Sequence, residues 1–154
     1  MTFTVPEEFE GPRATKMHVA ALKPDEVSVV EGIPVTTPAR TIVDLAAGWA
    51  EHGELRRVLM DAVQKDLVDL RRIHADLAPL AGRQGFPEDG REFVAYFLPD
   101  LDPAELSARN QRGYAALAHA DRVADLQSAV ARLIPEGGDE ALSWDIAAEI
   151  IGRS

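Results

Sequence analysis

The sequence predicts an α+β fold, with a small antiparallel sheet at the N-terminal end followed by a mostly helical remainder. Three observations carry this. Short β-rich segments separated by proline and glycine fill the first quarter of the chain, and apolar residues recur at helical spacing from residue 38 onward. Between them, Thr37-Pro38 is an explicit helix entry: a hydroxyl able to cap the first orphan amides, then a proline whose missing N–H is harmless at the first helical position. With 154 residues and 46% hydrophobic content, the chain can bury a core as one compact domain or as a small domain with an appendage.

Taken in order, Thr2 to Val5 is the first expected strand, and Pro6 to Pro12, with two prolines, a glycine and three glutamates, is loop. A second strand is expected over Lys16 to Leu22, a turn at Pro24-Asp25, a third strand over Val27 to Glu31, and a short fourth around Val35. Short connections favour antiparallel neighbours throughout, since a parallel return needs a crossover of about a dozen residues or more. From Pro38 a helix places Ile42, Val43, Leu45, Ala46 and Trp49 on one side, with Arg40 and Asp44 four residues apart on another. His52-Gly53 interrupts the pattern, and Leu55, Val58, Leu59, Ala62 and Val63 carry a helix to about Asp66. Asp69 caps a helix predicted over Leu70 to Leu77. Pro79, Gly82, Gly85, Pro87 and Gly90 then crowd into a stretch read as loop or linker. Helices follow over Glu92 to Leu98, Pro103 to about Ala120 with a break at Gly113, Asp121 to Ile134, and Asp139 to Ile151. The organisation expected is residues 1–80 as one sheet-then-helix domain, 81–90 as linker, and 91–154 as a helical extension packed on the first part.

Twenty-six acidic residues against 16 basic ones leave a formal charge of −10, spread over both halves of the chain. Such a surface repels phosphate backbones at long range and favours solubility or a basic partner. The absence of cysteine excludes disulfides, thiolate nucleophiles and cysteine metal sites, and agrees with a reducing cytoplasm. No apolar run reaches the roughly 18 to 20 residues that span a bilayer, and the N-terminus lacks a signal-peptide layout, so a soluble cytoplasmic protein without membrane contact is expected.

The four histidines, His18, His52, His74 and His119, are scattered and make no i, i+4 metal-ligand pair, so no metal and no cofactor is expected. Asp100 and Asp102 resemble the acidic half of a metal-dependent nuclease site. No Glu-X-Lys or Asp-X-Lys follows them, however, and Asp102-Pro103 reads better as a second helix entry. Glu54 to Leu77 has the outline of a helix-turn-helix with Arg71, Arg72 and His74 on its second element, but five basic residues there face five acidic ones, a poor footprint for phosphate. Phe93, Tyr96 and Phe97 cluster at helical spacing and read as core. Thr36, Thr37 and Thr41 have no general base beside them in sequence and fit capping better than catalysis, so no catalytic residue is assigned.

The stretch Gly32-Ile33-Pro34-Val35, then Thr36-Thr37-Pro38-Ala39-Arg40-Thr41 and Val43-Asp44-Leu45-Ala46, resembles the C-terminal domain of AbiEi-type antitoxins and related transcriptional regulators, over about residues 2–78. The resemblance implies a non-catalytic antitoxin of a phage-defence toxin–antitoxin system, countering a nucleotidyltransferase-like toxin. In that family a winged-helix DNA-binding domain precedes this region. Here Thr2-Phe3-Thr4-Val5-Pro6 is similar to a strand inside the C-terminal domain, so the DNA reader is expected to be missing and tight DNA binding by this chain alone is not expected. Within the motif, Arg40, Asp44, Thr36 and Thr41 are the candidate binding residues, and Thr37 and Pro38 the structural cap. As an exposed pair, Arg40 and Asp44 would contribute only about 0.2 to 0.5 kcal/mol. The alternatives are an acidic protein-interaction module with no antitoxin role, and a DNA-binding regulator or metal-dependent nuclease.

Overall fold

The computed structural model describes residues 2–5, 16–19, 21–48, 51–133 and 140–153, the first two segments as backbone only. The predicted α+β order is present: strands β1 (Thr2–Val5), β2 (Lys16–Val19), β3 (Val27–Val30) and β4 (Ile33–Thr36) precede the helices. β3 and β4 form the antiparallel hairpin, with Val27 opposite Thr36 and Val30 opposite Ile33. Its two-residue turn places Glu31 at φ 52° and Gly32 at φ 82°, the pair of positive φ values that matches hairpin twist and that glycine adopts without strain. Pro34 lies in an outer strand of this two-stranded sheet, where its missing N–H costs least.

The expectation of antiparallel pairing throughout is corrected at β1 and β2, which pair in parallel, Thr2 with Lys16 through Val5 with Val19, and form a sheet separate from the hairpin. A four-residue strand spans only about 13 Å. Ten residues of extended chain can reach roughly 33 Å, enough to return to the starting end of such a strand. The loop read over Pro6 to Pro12 lies outside the described residues.

Helix α1 (Pro38–Ala47) starts where the sequence places it, with the Thr37 hydroxyl accepting from the Arg40 amide. It is followed by α2 (His52–Gln64) and α3 (Leu70–Gln84), the latter capped by Asp69. The predicted end of α3 at Leu77 is too early. The helix runs through Pro79 because Leu77, Ala81 and Gln84 all lie buried on its inner face, and that burial outweighs the proline's lost hydrogen bond. Gly85 at φ 73° then ends it.

After α4 (Gly90–Phe97), the single helix expected from Pro103 is instead a short 3-10 turn, Pro103–Glu105, followed by α5 (Ala108–Ala118) with its own Ser107 cap. No break occurs at Gly113. A Cβ there would meet the Leu70 Cβ at 3.3 Å, so the missing side chain lets α5 approach the start of α3 closely. α6 (Ala120–Ala131) and α7 (Glu140–Gly152) complete the chain close to their predicted bounds. Trp49, Ile134 and Asp139, used in the sequence reading, fall outside the described residues.

One buried cluster runs from Ile42 on α1 through Leu59, Leu70, Phe93 and Phe97 to Ala118 on α5. Helices on both sides of residues 81–90 therefore share a core. A smaller cluster of Ala115, Val123, Ala147 and Ala148 seats α6 and α7 on α5. Among the described residues, no helix is long and apolar enough to cross a membrane.

Candidate functional site

The residues singled out in the motif meet where the hairpin enters α1. Arg40 is the centre. Its Nε donates to Asp44 Oδ1 at 2.8 Å and its Nη1 to Glu26 Oε1 at 3.1 Å. The side chains of Arg40 and Asp44 are only 14% and 13% exposed, so the expectation of an exposed pair is corrected: this is a largely buried network. Glu26 reaches Arg40 from the end of the turn Pro24–Glu26.

Glu26 makes two further links in the same place. Its Oε2 accepts from the Lys23 amide at 2.7 Å, and its backbone carbonyl accepts from the Thr37 amide at 2.9 Å. The residue that caps α1 is thereby tied to the segment before β3. The Lys23 amide, then Arg40, hold the Glu26 carboxyl below its ordinary value, while Asp44, then Glu26, raise the Arg40 guanidinium further above its own.

Thr36 and Thr41 stand beside this network at 2.9 Å between hydroxyls. The Thr41 hydroxyl donates to the Thr37 carbonyl at 3.0 Å, so the Thr36 hydroxyl is the donor to Thr41. Thr41 is exposed and Thr36 half-buried. The same region borders a groove of about 450 Å³ between the Lys23–Glu26 segment, α1 and the start of α3, lined among others by Lys23, Asp25, Arg40, Asp69, Arg72, Asp76 and Arg109. Its charges are mixed, and several are already engaged, as in Arg72 with Asp25 at 3.6 Å.

A second polar centre, which sequence reasoning missed, sits behind the groove at the α2–α3 turn. Asn110 on α5 is fully buried; its Oδ1 accepts from the Leu70 amide at 2.8 Å and its Nδ2 donates to the Val68 carbonyl at 2.9 Å. Asp66, at φ 55°, accepts from the Ser107 hydroxyl, from Arg109 and from Asn110. The Ser107 hydroxyl and then Arg109 hold its carboxyl below the ordinary value. No short-range spacing signals this cluster, because Asn110 and Leu70 are 40 residues apart.

These depressed carboxylates imply an acid-sensitive fold. Glu26 contributes its stability above the ordinary glutamate value, about pH 4.3, and that contribution is lost as pH falls through its lower folded value. In urea titrations between pH 6 and pH 3, Glu26→Gln is expected to be less stable than the parent at pH 6, with the two converging toward pH 3. Parallel curves would contradict the assignment.

The other candidates are placed elsewhere. Asp102 is occupied in capping the turn Pro103–Glu105. Phe93 and Phe97 are buried core, with Tyr96 at its edge. His52 binds the Tyr96 hydroxyl and the Gln84 carbonyl, and His74 binds the Glu88 carbonyl. In the helix-turn-helix candidate, the Arg71 guanidinium lies 4.0 Å over the Trp144 ring, and Leu70 is buried against α5.

Comparison with curated proteins and with solved structures returned no match. A family model described as the AbiEi antitoxin C-terminal domain matches residues 10–88. That span holds the hairpin, the Arg40 network and helices α1 to α3, and it covers just over half of the chain. The chain therefore belongs to the AbiEi antitoxin C-terminal domain family, and its general role is that of an antitoxin.

Proposed function

We propose that this chain is a non-catalytic, toxin-countering domain that opposes a nucleotidyltransferase-like toxin, while promoter reading belongs to a separate winged-helix domain. The observation that carries the reading is the family match over residues 10–88, whose centre is the junction locked by Arg40. Thr36 and Thr41 border that junction and offer hydroxyls to a partner, and Arg40 and Asp44 hold them in register. Residues 91–154 act as a helical extension that braces this part through the shared core. The setting proposed is the cytoplasm. The test is growth rescue: the chain is co-expressed with a nucleotidyltransferase-like toxin encoded beside it. Restored growth is expected, and continued arrest with the chain soluble and folded would reject the reading.

Regulation by direct DNA binding is the second reading, and the structure weakens it. A recognition helix presents its N-terminal residues to base edges. Here the start of α3 is packed against α5, Arg71 is stacked on Trp144, and the chain carries ten net negative charges. Specific readers reach about 10⁻⁸ M or tighter through several phosphate contacts. Titration of the operon's promoter DNA at about 0.15 M salt is expected to give no saturable binding in the nanomolar range. Tight, sequence-specific binding with a steep salt dependence would restore the DNA-reader assignment.

A further inference from the structure

A cleft of about 370 Å³ opens where α3, α5, α6 and α7 meet, and its described lining shares no residue with the groove beside α1. That volume falls in the range of small-ligand sites, about 300 to 1,000 Å³. Its walls are mostly apolar, among them Leu117 on α5 and Val123 and Ala124 on α6. Arg71 is the only lysine, arginine or carboxylate side chain among the described lining residues. It is held at both ends. Its stem runs past Gly113, where a Cβ would meet the Arg71 Cγ at 3.6 Å, and its guanidinium lies 4.0 Å over the Trp144 ring. Stacking engages the face of the guanidinium and leaves the in-plane N–H edges able to donate. Among the described residues no carboxylate pairs with Arg71, in a chain that carries ten net negative charges.

We propose that this cleft binds a small organic monoanion, a carboxylate carried on an apolar body. The guanidinium edge takes the carboxylate as a bidentate pair, and the aliphatic walls take the body. One fixed cation balances one negative charge. A dianionic phosphate would set its second charge against apolar walls and an acidic chain, and a neutral ligand of the same shape would gain only the walls. Because Gly113 and Trp144 already order the Arg71 side chain, little of its freedom is left to lose on binding.

The probe is phenylbutyrate, titrated into the whole chain by calorimetry while the Trp144 indole N–H is followed by nuclear magnetic resonance. Saturable binding tighter than about 1 mM and a shift of that signal are expected. Phenylbutanamide, which keeps the body and removes the charge, is expected to bind at least about tenfold more weakly, the scale of a lost charge-assisted hydrogen bond. Arg71→Met keeps an apolar stem beside Trp144 and is expected to weaken the acid at least about tenfold while leaving the amide unchanged. Ala124→Phe, at an exposed position of α6, fills the cleft and is expected to weaken both ligands. No saturable binding by the parent, equal affinity for acid and amide, a Trp144 signal that does not move, or full binding of the acid by either variant with its helical circular dichroism intact would each overturn the proposal.

Discussion

Asn110→Ala is expected to destabilise the fold by about 3 to 5 kcal/mol. The side chain is fully buried, and its partners have no water to turn to. Removing it strands the Leu70 amide at the start of α3 and the Val68 carbonyl before it, and each buried unsatisfied group costs about 1 to 3 kcal/mol. It also leaves a cavity where α5 meets the α2–α3 turn. The amide orientation is dictated by the partners, because a backbone N–H can only face Oδ1 and a carbonyl can only face Nδ2. Asn110→Leu separates the two contributions, since it restores most of the volume and none of the hydrogen bonds. Urea unfolding of both variants is expected to give losses of similar size. A loss below about 1 kcal/mol for Asn110→Ala would contradict a pinning role, being no more than an average substitution.

Arg40→Met is expected to cost about 2 to 3 kcal/mol and to loosen the hairpin from α1. The substitution keeps an apolar stem of similar length but removes the cation that serves both Glu26 and Asp44. Breaking a fully buried pair costs about 3 to 5 kcal/mol, and the partial exposure of these three side chains lowers the figure here. Arg40→Lys keeps the charge but cannot hold two carboxylates with a rigid fork, so it is expected to recover only part of the loss. Amide exchange should speed up in β3, β4 and the first turn of α1 in the Met variant. A melting temperature within about 1 °C of the parent would mean that the network is incidental.

What could be read from the sequence was local chemistry. Thr37-Pro38 announces the start of α1 because cap, proline and first turn are neighbours in the chain, and the spacing of Arg40 and Asp44 suffices to predict their ion pair. The periodicity of Val123 with Leu126, and of Leu142 with Ile146, likewise placed α6 and α7. Hidden features depend on contacts distant in sequence. Glu26 lies 14 residues from Arg40, and without it the Arg40–Asp44 pair reads as an exposed ion pair. α3 survives Pro79 only because neighbouring helices bury Leu77 and Ala81, and the parallel pairing of β1 with β2 is permitted, not dictated, by the length of their connection.

If the hairpin–α1 junction contacts the toxin as proposed, the double substitution Thr36→Val/Thr41→Val is the change that tests it most directly. Both changes keep β-branched shape and remove only the two hydroxyls, one half-buried and one exposed, so stability is expected to stay within about 1 kcal/mol of the parent. In the growth-rescue assay the variant is predicted to lose protection against the toxin while its melting temperature and cellular level match the parent's. Full rescue by a folded double variant would contradict the account and move the toxin-facing surface away from this junction.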